Sequence, residues 1–175
     1  MAISFMENEV IGLIAKDEGN FNLIFDEKSG VHVFYNDKNL KRKMEFWCEN
    51  HNHNHDFKQY DPEVLSQTSK SSISSEDVCI RLYLETEHDI FQTRGSVASV
   101  ESFVTSVFNQ MATLYQNEGV GTSISEIFVW TTPDPYTATH PFTLLQQFQS
   151  HRTAFNGDLA QLLTFRGTGI AGRRV

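Results

Sequence analysis

Between Ser96 and Asn117 the apolar residues recur every three or four positions: Val100, Phe103, Val104, Val107, Phe108, Met111, Leu114 and Tyr115. That spacing predicts one apolar stripe along a helix of about six turns. Ser96 is placed to cap its start, and Gly119 stands just past its end. Strand-like runs flank it. Upstream, Ile80, Leu82 and Leu84 alternate with Arg81, Tyr83 and Glu85, which reads as a strand with two different faces. Downstream, Ile124 to Thr131 is rich in β-branched and aromatic residues, and Pro133-Asp134-Pro135 breaks the run. Pro141 suits the first turn of a second helix carrying Leu144, Leu145 and Phe148, with Phe155 beyond. Asn156-Gly157 is a turn, and Leu159 to Phe165 reads as a third strand. Strand, helix, strand, helix, strand is the pattern of an α/β layer.

The first 36 residues read differently. Val10–Ile14, Phe21–Phe25 and Val31–Tyr35 are short strand-like runs separated by turn clusters at Asp17–Asn20 and Lys28–Gly30. They predict a small β-meander. Residues 37–77 carry Lys-Arg-Lys, the tract HNHNH and the serine-rich QTSKSSISSED, the composition of a flexible linker. The expected organisation is therefore 1–36 meander, 37–77 linker and 78–175 α/β unit. Acidic residues outnumber Lys and Arg 22 to 14. That balance opposes a nucleic-acid partner or an anionic membrane, both of which need a basic face. No apolar run approaches the roughly 20 residues of a membrane span. The chain opens without a basic start or an apolar leader core.

The last third is more specific. DLAQLLT (Asp158–Thr164), followed by Gly169, Ile170 and Ala171, resembles the reprolysin-like branch of the metzincin zinc proteases. CIRLYLETEHDIFQTRGS, the long helix and SEIFVWTTPDPY are similar to the first half of its bacterial secreted members. The resemblance spans residues 78–171. It implies a metzincin-like βαβαβ upper half-domain, with the meander as a propeptide remnant. It further implies a secreted zinc endopeptidase that cleaves protein or peptide substrates with a zinc-activated water. The family's catalytic helix reads H-E-x-x-H, with two histidines one turn apart on the metal and a glutamate between them on the water. None of the seven histidines here is followed by Glu. No catalytic residue or zinc ligand is therefore assigned, and the chain is expected to be an inactive fragment ending before that helix. The resemblance gives one site: Thr168, Gly169, Ile170 and Ala171 as an edge strand pairing with an extended substrate. A non-catalytic extracellular binding or inhibitory module is the competing class.

Other candidates have plainer readings beside the sharp ones. His51, His53 and His55 carry metal-binding imidazoles, but an extended tract sets up no fixed cage, so the tract reads as solvated linker. His88-Asp89 reads as a loop cap rather than an acid–base pair. Cys48 and Cys79 suit a disulfide of a secreted parent, while Cys48 could instead be a propeptide thiolate on the zinc, or unpaired. Glu85, Glu87 and Asp89 form either a calcium site or, more ordinarily, a solvated strand face. Phe128, Trp130 and Tyr136 read as packing. Because the fold implied is half of a domain, the long helix is expected to leave apolar surface uncovered, and the edge near Leu162–Ala171 to stay unpaired.

Overall fold

The computed structural model describes residues 1–7, 9–26, 28–41, 79–166 and 173–174. Four strands open the chain: β1 (Ala2–Phe5), β2 (Val10–Lys16), β3 (Gly19–Asp26) and β4 (Val31–Asn36). They pair in sequence order, each antiparallel to the next. A single 3-10 turn, Asp37–Asn39, follows, with the Asn36 side chain accepting from the Lys38 amide at 2.9 Å. Of the expected linker, residues 42–77 lie outside the described residues.

The second unit contains β5 (Cys79–Thr86), α1 (His88–Arg94), α2 (Val97–Asn117), β6 (Gly121–Val129), α3 (Pro141–His151), β7 (Leu159–Leu163) and β8 (Arg173–Arg174). Its sheet order is β6-β5-β7-β8. β5 is parallel to both β6 and β7, and β8 returns antiparallel to β7. The molecule is thus mixed α/β, with one antiparallel and one largely parallel sheet.

Short α1 was not anticipated. Gly95 ends it at φ 77°, donating its amide to Phe91 O, and so frees Ser96 to cap α2. The Ser96 side chain accepts from the Ser99 amide at 3.2 Å, as the sequence suggests. Val100, Phe103 and Val104 of α2 then bury against Leu82, Leu84 and Leu163 of the parallel sheet. On the opposite side of that sheet, Leu144 and Phe148 of α3 pack on Tyr83, Ala160 and Leu162. Alternate residues of β5 and β7 therefore serve two cores.

One expectation holds only in part and another fails. The antiparallel sheet lies against the far side of α2, yet Leu114 of the stripe stays exposed and Val107, Phe108 and Met111 are half-buried. Ile11 and Leu13 are buried, Asn109 reaches the Ser4 hydroxyl, and Arg94 pairs with Glu9 while lying 4.1 Å over the Phe103 ring. β5 is not half wet. Tyr83, Leu84, Glu85, Thr86 and Glu87 are all buried, since parallel neighbours on both edges and helices on both faces leave no solvated side. The solvated-face reading of Glu85 and Glu87 is overturned.

A bulge at Ser125 shifts the β5–β6 register between Leu82 and Tyr83. The freed Ser125 hydroxyl donates to Asn156 O in the turn before β7. Gly157 in that turn lies so close to β5 that a Cβ would sit 2.9 Å from Ser125 Oγ and 3.1 Å from both Arg81 O and Tyr83 N. A side chain here would have to displace the Ser125 hydroxyl and press on the backbone of β5. Asp158 completes the join, accepting the Arg81 amide at 2.8 Å and pairing with its guanidinium.

Candidate functional site

The polar residues concentrate around β5 and the carboxyl ends of β5, β6 and β7. Strand order reverses here, with the chain leaving β5 for β6 on one side and then crossing to β7 on the other. In open α/β sheets such a reversal is where crevices form.

Glu85 is the most connected group. It is fully buried, and four donors converge on its two oxygens. Trp130 Nε1 and the Tyr136 hydroxyl reach Oε1, each at 2.6 Å. The Tyr83 hydroxyl reaches Oε2 at 3.0 Å, and Arg152 Nε reaches it at 2.7 Å. Such convergence is what an ionised carboxylate accepts. Burial, reinforced by the neighbouring Glu85 charge, pushes both tyrosine hydroxyls far above their ordinary range. Arg152 also lies over the Tyr83 and Phe128 rings. Burial works against its charge, but the bond to Glu85 prevails and holds it protonated. Every oxygen of Glu85 is engaged and neither tyrosine releases a proton near neutrality, so this centre ties strands together and has no group left for a substrate.

A second cluster sits at the strand ends. Glu87 is fully buried, and its Oε2 accepts from Arg166 Nε at 2.7 Å. Arg166 also reaches Asp134 Oδ1 at 3.2 Å, and this residue's other oxygen accepts the His88 amide at 2.9 Å. Burial raises the Glu87 carboxyl above the ordinary glutamate value, opposed by the bonds from Arg166 and Thr164. The bond to Glu87 raises Arg166 in turn. One guanidinium thus clamps the end of β5, the loop after β6 and the exit of β7.

His88 and Asp89 do cap the loops. The His88 ring stacks on Phe91, and Asp89 Oδ2 accepts the Phe165 amide at 3.0 Å. Trp130 and Tyr136 pack in the core, as read, but their donors to Glu85 went unread. Cys79 is an exposed free thiol, donating to Ser123 Oγ at 3.3 Å. Cys48, His51, His53 and His55 lie outside the described residues, as do Thr168, Gly169, Ile170 and Ala171. The next strand described, β8, pairs Arg174 with Gln161 and Arg173 with Leu162. Glu85, Glu87 and Asp89 do not form a calcium cage: among the described residues no group of three or more His, Cys, Asp or Glu is placed to hold a metal ion. Among them, too, no helix is long and apolar enough to cross a membrane.

Arg152, Arg166 and Asp134 were missed. Their signal was indirect: a strand flanked by two crossover helices is buried on both faces, so a glutamate on it and another just past its end require two cations. No protein-family model matches the chain, and no curated protein matches it.

Proposed function

We propose that this chain is the upper, substrate-facing part of a secreted zinc endopeptidase of the reprolysin-like type, in a metzincin-like fold. The carrying observation is the run Asp158–Thr164. It resembles the family's strand, and it forms β7 with its locking turn, beside an antiparallel partner at the sheet's edge. In this reading Thr168–Ala171, between β7 and β8 in sequence, offers main-chain groups to an extended peptide. The meander is the propeptide portion, and its first two strands lie on α2. The chain's residues do not fit the zinc. No H-E-x-x-H is present, so no step of hydrolysis is assigned to them.

The test is the coding sequence beyond Val175, where this reading expects an H-E-x-x-H helix within a few dozen codons. An open reading frame that lacks it refutes the proposal. So does chelator-sensitive cleavage of a quenched protein substrate by the purified 175-residue chain.

A further inference from the structure

The antiparallel sheet packs on α2 through β1 and β2; on the same side of β3 and β4, Ile24, Val31 and Val33 stay exposed. Strand register puts Ser4, Ile11 and Leu13 on the side against α2. The other side carries a continuous row in which Ile3 pairs with Gly12, Gly12 with Leu23, and Leu23 with Phe34. Phe5 adjoins this row on one side, and Phe21, stacked on Phe34 at 5.7 Å, on the other. Phe5 is 80% exposed, Phe34 58% and Ile3 43%. Monomer surfaces seldom gather large apolar side chains in this way without a partner.

Charge indicates which partner. Among the described residues of these outward rows, the ionisable side chains are Lys16 at one end and His32. The described acids of this unit sit instead in turns and strand ends: Glu7, Glu9, Asp17, Glu18, Asp26 and Asp37. The chain carries a net charge of −8, so two copies repel least where they meet through a face nearly free of charge. A two-fold axis also makes one self-complementary patch sufficient.

We propose that this face is a self-association surface, on which two copies pack their antiparallel sheets together as a four-on-four β-sandwich. Facing sheets in such packings lie about 10 Å apart with side chains interdigitated. A phenylalanine offers roughly 150–250 Å² to burial, so Phe5 and Phe34 alone present about 250–300 Å² per copy. With Ile3 and the part-exposed neighbours, the two copies together bury about 1,200 Å², the lower bound for a specific stable interface. The surface is independent of the proteolytic reading, since it lies across α2 from the parallel sheet.

The experiment is sedimentation of the 175-residue chain over a concentration series. The expected result is a monomer–dimer equilibrium that Phe5→Asp and Phe34→Asp each weaken by about tenfold or more. Val97→Asp, at a part-exposed apolar position on α2, leaves it unchanged. Circular dichroism should match wild type in all three, since these side chains already face water. A monomer at every concentration overturns the proposal, because the face is then idle or is covered by residues 42–78 or another protein. A dimer indifferent to both Asp variants overturns it too, because the copies then meet elsewhere.

Discussion

Replacing Glu85 by Gln keeps the shape of the side chain and removes one acceptor. Its two oxygens now serve two pairs of donors: Trp130 with Tyr136, and Tyr83 with Arg152. A glutamine has one oxygen and one amide NH2, so one of the pairs must face two hydrogens. A tyrosine hydroxyl can rotate and offer a lone pair. Trp130 Nε1 and Arg152 Nε cannot, because both are donors only. Either rotamer therefore leaves one fixed N–H in a buried site without an acceptor, at about 1–3 kcal/mol. Loss of the negative charge opposite Arg152 adds to this, discounted because that side chain is 21% exposed and water reaches it. The expected total is about 2–4 kcal/mol, against about 5–15 kcal/mol for a whole domain. With a urea slope of about 2 kcal/mol per molar, the midpoint should fall by about 1–2 M at unchanged slope. Tyr136→Phe is the control. It removes one donor while Trp130 still serves Oε1, so it should cost about 1 kcal/mol. A Glu85→Gln loss below about 0.5 kcal/mol would refute the reasoning, showing that water or a rearranged Arg152 satisfies the site.

The parts of this fold visible in the sequence are those whose signal lies within a few residues. α2 is legible because its stripe persists for several turns between a capping serine and a glycine at φ 75°. The meander is legible from its turn clusters, and α3 from Pro141. Boundaries drifted where polarity and pairing disagree. β6 starts at Gly121 rather than Ile124, because Thr122 and Ser123 lack apolar character yet pair with Ile80 and Arg81. β7 stops at Leu163, and Phe165 beyond it packs edge-on against Phe103. The polar centres were not legible. Alternation along β5 reports side-chain polarity, not what covers each face. Glu85 meets Arg152 across 67 positions and Glu87 meets Arg166 across 79, far beyond any local window. Nothing in a helical stripe announces a second sheet on the helix's other side, since the contacts there include a single long amide, Asn109, and an ion pair from α1.

Gly157→Ala should destabilise by about 1–3 kcal/mol in the same urea assay, because two of the three close neighbours of its new methyl are backbone atoms of β5 that cannot swing away. A neutral result would mean that the turn before β7 slides freely along the sheet. The pH dependence of Glu87 carries its own sign. Burial raises its carboxyl in the folded state above the ordinary glutamate value, so the native state holds that proton more tightly than the unfolded chain does. The stability this supplies is complete at pH below the ordinary value and is lost as pH rises through the raised one. Arg166 and Thr164 oppose the shift, while Asp134 adds to it, so all the charged groups named as facing the carboxyl are already inside the net direction. Glu87→Gln mimics the protonated form at every pH. Chemical unfolding at a series of pH values should therefore show wild type losing stability relative to Glu87→Gln as pH climbs from the ordinary glutamate value, with a flat difference below it. A wild-type advantage that grows over the same rise would show the Arg166 pair outweighing burial, and that β5 and β7 are clamped by charge attraction rather than strained by a buried acid.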